Sequence, residues 1–588
     1  LFAQINKVEV WHKTPSVSKE NLECTLRYAM HAVKKQAVFA KQHGLFRAAS
    51  ASNVVSNLLA VMLNLDHCSD NTSYDSLPQV WRVDYFISHS WSCPCWMKSL
   101  AFCHFLNFDL AIVSSCMACL FAVLILFLHA GSFSGVATQP QGLLYGCLLC
   151  WPVAVFLAVY LFAHIGARTT FWFDRICVNQ IDETVKAQTL QAIPAFVAQS
   201  TQMLVLWDDT YFDRLWCQYE LSVHAKTAAS PLAMKLVPMW ISLWTLSWIS
   251  LYTMVNFLCL GQTSSQLDLE SRRTLFTSMV DASFVPPFVY LLTAFPFSWF
   301  CIQKLKSHKL MLDQMAHFDL RNAKCSVESD RKIIEEQVLQ LFDEALEPPL
   351  SVAFDESDTF EPLEPLEHSG KNDSRFDLNE NSNESVVLLD TLREIRHITS
   401  YPTSSEIIDQ FNSYVRGPLR DSVVNSMGKE EFISFKLCVV VSFPWWFQGL
   451  ISVLGCDAHA DCETSAVYGG YQSVEVYMAT NAVMRLFLGP FVNALSYPLM
   501  LRTNKLVGTL VSDTYVHLIL GSFCSAMVAF LLDHLGLHLC GMLVVVVTKY
   551  SHVWLAGLIA GLTCLFGASW FLFRQRPQRI SQRCFGEA

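Results

Sequence analysis

The sequence predicts a multi-pass α-helical membrane protein that carries an α/β domain with a parallel sheet. Apolar blocks recur along the chain at about the twenty-residue length that a helix needs to cross the hydrocarbon of a bilayer. Between residues 83 and 240, short β-type runs alternate with helical stretches, which is typical of parallel strands with flanking helices. Of the 588 residues, 52% are hydrophobic and 16% are charged, which does not describe an ordinary soluble protein.

The apolar blocks predict about eight membrane spans. Two of them, Leu110 to Ala130 and Gly142 to His164, are separated only by a turn rich in Gly, Ser, Gln and Pro, and they predict a membrane hairpin. The other predicted spans are Met239 to Leu260, Phe284 to Ile302, Leu437 to Leu454, Met478 to Leu501, Tyr515 to Leu532 and Val553 to Phe573. The apolar segment Cys540 to Val547 is too short to span alone and is interpreted as re-entrant or interfacial.

Basic residues near the span ends predict the orientation, because Lys and Arg stay on the cytosolic side. Lys98 and Arg168 flank the first hairpin, whose tip, Gly131 to Gln141, carries neither residue type. The pair Arg272 and Arg273 is the exception to the pattern. Both termini and all large polar segments are therefore expected in the cytosol, and the sequence does not indicate which cellular membrane holds the protein.

These segments divide the chain into predicted regions. They are an N-terminal helical cytosolic region at 1–82, the first part of the α/β domain at 83–109, the hairpin at 110–164, the second part of the domain at 165–240, a second membrane hairpin at 239–303, an acidic, partly disordered cytosolic linker at 304–436, a C-terminal membrane region at 437–573 and a basic cytosolic tail at 574–588. Within the linker, Glu361 to Asn383 is too polar to bury a core and is expected to be disordered. Because the chain begins with Leu1 and not with Met, a fragment or a processed form is expected.

Charge and cysteine spacing exclude other classes of protein. The net charge of −10 offers no basic patch for nucleic acid, so the lipid bilayer is the partner that composition predicts. Apart from Cys116/Cys119 and Cys147/Cys150, which lie inside apolar helices and are expected to be packing residues, the cysteines lack the spacing of metal ligands, and no metal site is expected. Cys456 and Cys462 fall in a predicted outer loop, where a disulfide would persist if they pair, and the sequence leaves that pairing open.

Four motifs in order carry a resemblance to the Toll/interleukin-1 receptor (TIR) homology domain. Asp84 to His89 resembles the first TIR strand, Phe171 to Asp182 resembles the second strand and its loop, and Ser200 to Leu206 resembles the third strand. Tyr211 to Leu221 matches the TIR pattern of Tyr followed by Trp-Cys-x-x-Glu-Leu. Over about residues 83 to 240 the chain is similar to TIR-like membrane proteins of single-celled eukaryotes, in which two transmembrane helices interrupt the domain. The resemblance implies a flavodoxin-like fold.

An alternative label and two departures accompany this resemblance. The loop Arg175 to Asp182 also resembles the TIR-related heterokaryon-incompatibility domain of fungi. The second loop lacks the Arg-Asp-x-x-Pro-Gly pattern that animal receptors use for partner contact, so adaptor recruitment of that kind is not expected. After the fourth strand the chain enters the membrane where the family has another helix and strand, so the sheet is expected to be one strand short.

The resemblance assigns a catalytic role to Glu220. Several TIR domains hydrolyse NAD at the bond between nicotinamide and ribose, and Glu220 matches the family's catalytic glutamate. A carboxylate beside the ribose would stabilise the oxocarbenium charge that develops there. NAD would then be a substrate, and no bound cofactor is expected. Trp216, one helical turn earlier, would pack beneath the site. In the alternative interpretation Trp216 anchors the core and Glu220 is a solvated or capping charge.

Asp174 and His89 complete the candidate site. Both lie at the ends of predicted strands, and open α/β sheets bind ligands outside the carboxyl ends of their strands. We therefore expect Asp174 and His89 to line the NAD site. The alternative for His89 is a hydrogen-bonded structural residue.

Three functions follow from these expectations. The first is signalling by a cytosolic TIR-like domain, through self-association or through NAD cleavage. The second is a non-catalytic scaffold of the TIR or heterokaryon-incompatibility type. The third is a channel or transporter with a TIR-like regulatory domain. The third has the least support, because Asp109 and Asp533 fall at predicted span ends and leave no chain of ionisable groups through the bilayer. Arg485 lies inside the predicted span Met478 to Leu501 and would mark a functional site there, but if Leu486 to Leu501 crosses alone, Arg485 lies at the outer interface.

Overall fold

The computed structural model describes most of the chain. The described residues are 38–62, 72–227, 233–263, 287–325, 404–456 and 462–574, with six residues between Arg331 and Leu339. The stretch Glu361 to Asn383 that we expect to be disordered lies outside the described residues, as do Arg272 and Arg273.

A five-stranded sheet forms the centre of the α/β domain. Its strands are β1 (Ala49–Ser50), β2 (Val83–His89), β3 (Thr170–Trp172), β4 (Ser200–Trp207) and β5 (Met234–Pro238). The strand order is β1-β3-β2-β4-β5. Strands β2 to β5 run parallel, whereas β1 pairs antiparallel with β3. The expected parallel sheet is therefore mixed.

Strand β1 comes from the region that we expected to be only helical. Its two residues pair with Phe171 and Thr170 at the edge of the sheet. The helix Ala51–Met62 follows directly. A two-residue strand of Ala and Ser carries no alternating apolar pattern from which it could be predicted. The parallel part of the described sheet consists of the four strands β2 to β5. The N-terminal region adds β1 at the edge opposite β5.

Helices connect the strands of the sheet. Between β3 and β4 lie Asp174–Cys177, Glu183–Gln191 and Ile193–Ala198, and between β4 and β5 lie a 3₁₀ turn, Tyr211–Asp213, and the helix Leu215–Thr227. Asp182 caps the second of these helices by accepting hydrogen bonds from the backbone of Thr184 and Val185. The turn Thr72–Asp75 precedes β2.

The connection between β2 and β3 is the predicted hairpin. Its first helix, Cys95–Ala130, has 36 residues and is therefore about 54 Å long, which exceeds the thickness of the hydrocarbon layer. The N-terminal end of this helix belongs to the sheet domain, because Phe102 is buried with its ring 5.0 Å from that of Phe171. The chain returns through Phe133–Ala137, Gln141–Tyr145, the π-helical segment Gly146–Cys150, Trp151–Phe162 and the 3₁₀ turn Ala163–Gly166.

Four helices among the described residues are long and apolar enough to cross a membrane. They are Cys95–Ala130, Gly142–Gly166, Thr514–Lys549 and His552–Phe573. The pair Phe435–Val441 and Phe443–Leu454, bent by 54°, makes a fifth if it is counted as one span. The predicted count of about eight spans is not confirmed. Helices do occupy the other predicted positions: Trp240–Thr263, Pro287–Ala316, and Val474–Ala482 continuing through the π segment Val483–Leu488 into Gly489–Leu510.

The segment Cys540 to Val547 is not the separate re-entrant piece that its length suggested. It lies within the continuous helix Thr514–Lys549, which Asp513 caps by accepting hydrogen bonds from the backbone of Tyr515 and Val516. Asp533 was expected at the end of a span. In the structure the helix continues through it, and His534 Nδ1 lies 3.0 Å from the carbonyl oxygen of Phe530.

The described residues at both ends of the predicted acidic linker form helices and turns. The 3₁₀ turn Leu320–Asn322 follows the helix Pro287–Ala316, and the chain resumes in Ser404–Tyr414, the π segment Val415–Leu419 and Arg420–Met427. Phe318 packs edge-on against Phe411 and Phe212, which joins these ends to the sheet domain. Arg416 Nε donates a hydrogen bond of 2.6 Å to the carbonyl oxygen of Phe318.

A small disulfide-bonded cluster lies at the tip of the hairpin. Cys456 and Cys462 are bonded to each other, which confirms the pairing that the sequence left open. The helix Cys462–Tyr468 begins at the second cysteine. The cluster packs against Ala137, which belongs to the hairpin tip. The disulfide is therefore at the end of the hairpin remote from the sheet.

Candidate functional site

The carboxyl ends of β2, β3 and β4 meet at one edge of the sheet. The register pairs Phe86 with Trp172 and His89 with Leu206, so the residues that follow these strands are neighbours. Ser88, His89, Asp174 and the loop from Asp208 onward all lie at this edge. This is the edge at which open α/β sheets bind ligands.

Glu220 lies on the helix that follows β4 and is buried against this edge. It exposes 9% of its surface. The hydroxyl of Ser88 donates a hydrogen bond of 2.5 Å to Glu220 Oε2, and the same hydroxyl lies 2.8 Å from the hydroxyl of Tyr211. The burial excludes the alternative in which Glu220 is a solvated charge on the helix surface.

The protonation of Glu220 follows from its surroundings. Burial raises the pKa of Glu220 to about 8, the hydrogen bond from Ser88 opposes that rise, and the charge of Asp174 adds to it. The carboxyl group is therefore mostly neutral at pH 7 and becomes a carboxylate only above about pH 8. A carboxyl group with such a pKa at a ligand-binding edge is the kind of group that active sites carry.

His89 and Asp174 contact each other, as two residues of one site should. His89 Nε2 lies 3.1 Å from Asp174 Oδ1, and the imidazole is buried while the carboxylate is partly exposed. His89 Nδ1 lies 3.2 Å from the carbonyl oxygen of Ser90, so both ring nitrogens face oxygen acceptors. The thiol of Cys217 donates to the carbonyl oxygen of His89 at 3.4 Å. His89 is thus fixed from three sides, and Asp174 is the partner that faces solvent.

Trp216 is placed differently from the other predicted residues. Its indole is half-buried, packs against the main hydrophobic core and meets the ring of Tyr219 edge-on with centroids 6.0 Å apart. This packing favours the interpretation of Trp216 as a core anchor. The role of Trp216 in binding NAD stays a prediction.

Two loops above the site are held together by hydroxyl groups. The hydroxyl of Thr210 lies 2.7 Å from that of Ser90 and also donates to Asp208 Oδ1 at 3.0 Å. Arg214 donates to the hydroxyl of Ser92 at 2.5 Å. Burial raises the pKa of Asp208, and its hydrogen bonds from Thr210 oppose the rise. These contacts join the loop after β4 to the loop after β2 and fix the position of Tyr211.

Sequence reasoning missed several residues of this site. Ser88 and Tyr211 stood inside the quoted motifs, but only the packing shows that Ser88 reaches Glu220 and that Tyr211 reaches Ser88. Trp91 exposes 55% of its surface at the mouth of the site. The guanidinium of Arg175 and the ammonium of Lys98 lie 5.6 and 5.9 Å from the centre of its ring. An exposed tryptophan directly after a β-strand was the available signal.

The fold and the site together define a class of protein: helices able to span a membrane are joined to an α/β sheet with a buried glutamate at its carboxyl edge. Comparisons with protein-family models, with curated protein sequences and with solved structures found no match to the chain. Within the part of the chain that the structure describes, no group of three or more His, Cys, Asp or Glu residues is arranged to hold a metal ion.

Proposed function

We propose that this chain is a multi-pass membrane signalling protein whose cytosolic domain is a TIR-like, flavodoxin-type NAD glycohydrolase. One observation carries the proposal. Glu220, the residue to which the TIR resemblance assigns catalysis, is buried at the carboxyl edge of the sheet, where it accepts a hydrogen bond from Ser88 and is close enough to Asp174, the partner of His89, for that charge to act on it.

The strand order supports a flavodoxin-type fold. Numbered from β2, the parallel strands lie in the order 2-1-3-4, which is the beginning of the flavodoxin order. In such sheets the ligand crevice opens at the carboxyl end of the strand where the order reverses. Here that strand is β2, and it ends at Ser88 and His89.

The chemistry requires one ionised carboxylate. The bond between C1′ of the ribose and the nicotinamide nitrogen breaks, its electron pair stays with the nitrogen, and neutral nicotinamide leaves. The ribose then carries oxocarbenium charge, which a carboxylate at Glu220 would stabilise. Water adds to C1′ and loses a proton, and the products are ADP-ribose, nicotinamide and a proton. Because the pKa of Glu220 is about 8, this role belongs to the form of the protein that has lost that proton.

The topology of the proposal rests on the hairpin. Because the hairpin is inserted between β2 and β3, both parts of the sheet domain lie on the same side of the membrane. The hairpin tip packs against the disulfide of Cys456 and Cys462 at its other end. Disulfides persist in oxidising compartments, which supports an orientation with the disulfide end outside the cytosol and the sheet end inside it.

Nicotinamide release by the full chain in lipid nanodiscs tests the proposal. At pH 8.5, where Glu220 is ionised, the protein is expected to convert NAD into nicotinamide and ADP-ribose, measured by chromatography. The absence of turnover at millimolar NAD, from a protein whose sheet domain is folded, would overturn it.

A non-catalytic scaffold is the second candidate, and one observation favours it. A neutral carboxyl group that is buried and hydrogen-bonded to Ser88 also serves simply to join the helix to β2. In that case the domain signals by self-association. A protein without NAD turnover whose nanodisc-embedded copies associate through the sheet domain, measured by crosslinking, would have this function.

A further inference from the structure

A buried lysine that makes no hydrogen bond or ion pair in the described part of the chain lies at the carboxyl edge of the sheet. Lys98 exposes 2% of its surface and belongs to the first turns of the helix Cys95–Ala130. Among the residues that the structure describes, its ammonium makes no hydrogen bond and no ion pair within 4.0 Å. The charges of Asp174 and Asp208 act on it only from farther away. A buried charge is costly unless a counter-ion or hydrogen-bond acceptor compensates it, so this position favours an anionic ligand.

The start of the same helix offers further donors. Pro94 precedes the helix and provides no side-chain cap. The backbone N–H groups of Met97 and Lys98 donate to the carbonyl oxygen of Pro94. Those of Cys95 and Trp96 have no acceptor in the described part of the chain. Free N–H groups and the dipole at a helix N-terminus favour the phosphate groups of ligands.

An aromatic ring lies next to these donors. The indole of Trp91 is exposed by 55%, and it lies within 6 Å of both Lys98 and the guanidinium of Arg175. Exposed aromatic rings stack with nucleobases, and Arg and Lys bind phosphate oxygens through charge-assisted hydrogen bonds. The three side chains come from the loop after β2, the helix that follows it and the start of the segment after β3. They converge only because the carboxyl ends of β2 and β3 are adjacent.

We infer that this group of residues binds the adenosine diphosphate half of a dinucleotide. The purine stacks on Trp91, and the diphosphate is held by Lys98, Arg175 and the free N–H groups at the start of the helix. The inference rests on the proposed function, because it places the two phosphates of NAD beside the group that would act on its ribose. It also identifies the part of the substrate that gives affinity without taking part in the reaction.

Binding of ADP to the full chain in nanodiscs tests the inference, because ADP has no bond that a glycohydrolase cleaves. Calorimetry is expected to show saturable binding to the unmodified protein. Trp91→Ala and Lys98→Met should each weaken it by about 10-fold or more, since each removes a stacking or charge-assisted contact. Lys98→Arg keeps the charge and should retain most of the affinity.

Two matched controls accompany these variants. Trp81 is an exposed tryptophan beneath the ammonium of Lys41 at the opposite end of β2, and Lys235 is an exposed lysine on β5. Trp81→Ala and Lys235→Met should leave ADP binding unchanged. Thermal unfolding of each variant shows whether the sheet domain remains folded, and if Lys98→Met fails to fold, the comparison of Trp91→Ala with Trp81→Ala decides the result.

The outcomes separate this inference from the proposed function. ADP binding that depends on Trp91 and Lys98, in a protein without NAD turnover, supports the site and overturns the glycohydrolase. NAD turnover with an unchanged KM in Lys98→Met and Trp91→Ala supports the glycohydrolase and overturns the site. No binding at millimolar ADP, or equal binding by all variants, also overturns the site.

Discussion

The hydroxyl of Ser88 donates a 2.5 Å hydrogen bond to the carboxyl group of Glu220, which lies 132 residues further along the chain. The membrane hairpin and two strands separate the two residues in sequence. In sequence, β2 precedes the inserted hairpin and the helix Leu215–Thr227 follows it. The hydrogen bond therefore forms only when these two elements pack together in the folded domain. The candidate site is thus complete only in the assembled domain.

The pH dependence of NAD turnover should follow the ionisation of Glu220. The pKa of Glu220 is raised to about 8 chiefly by burial, and the carboxylate is the form that stabilises oxocarbenium charge. We expect kcat/KM to rise with pH and to level off above about pH 8. A rate that is flat between pH 6 and 9 would contradict the role of the carboxylate.

Two neighbours of Glu220 should move that pH profile in opposite directions. The hydrogen bond from Ser88 lowers the pKa of Glu220, so Ser88→Ala should shift the midpoint of the profile to higher pH. The charge of Asp174 raises it, so Asp174→Asn should shift the midpoint to lower pH. Asp182→Asn, which changes a capping carboxylate outside the site, is the control and should leave the midpoint unchanged. Shifts in the same direction for Ser88→Ala and Asp174→Asn would contradict the assignment of the profile to Glu220.

The stability of the sheet domain should also depend on Glu220. The folded protein holds the proton of Glu220 up to about pH 8, whereas the unfolded chain releases it near pH 4.5. The contribution of Glu220 to stability is therefore present below about pH 4.5 and is lost as the pH rises towards 8, by roughly 1.4 kcal/mol per pH unit. The thermal midpoint of Glu220→Gln should rise relative to the unmodified protein across this range. A constant difference between the two midpoints would show that the carboxyl group is not desolvated.

The topology can be tested at the tip of the hairpin. A cysteine introduced at Ser134 should react with a membrane-impermeant thiol reagent only from the side opposite to the cytosol, because the tip lacks Lys and Arg and Ala137 packs against the disulfide cluster. A cysteine introduced at Lys235, which is exposed on β5, should react only from the cytosolic side. If the cysteine at Ser134 reacts from the cytosol, the placement of the sheet domain is wrong.

The sequence predicted the parts of the fold that have a strong local pattern. Strand β2 and strand β4 are continuous apolar runs, and the hairpin helices are uniformly apolar, so each is recognisable without tertiary information. Strand β1 was missed because two residues carry no pattern. The helix Thr514–Lys549 was divided wrongly because a charged residue inside a helix and one at its end look alike in sequence.

The sequence predicted which residues belong to the candidate site, but not how their side chains contact one another. The pairing of His89 with Asp174 agrees with the expectation that strand ends meet at one edge. The pKa of Glu220 depends on its burial, on the hydrogen bond from Ser88 and on the charge of Asp174, all of which follow from packing across the whole domain. Lys98 was interpreted only as a marker of orientation, because its burial arises where the long helix Cys95–Ala130 meets the sheet.

Nicotinamide release by the unmodified protein and by Glu220→Gln, compared side by side at pH 8.5 in nanodiscs, tests the central claim most directly. Glutamine keeps the size of the side chain and accepts the hydrogen bond from Ser88, but it carries no charge. Turnover should fall by about 10²-fold or more in Glu220→Gln, because the charge that stabilises the transition state is lost, while Glu183→Gln on an exposed helix leaves it unchanged. Equal turnover by Glu220→Gln and the unmodified protein would contradict the account and move the chemistry to another residue.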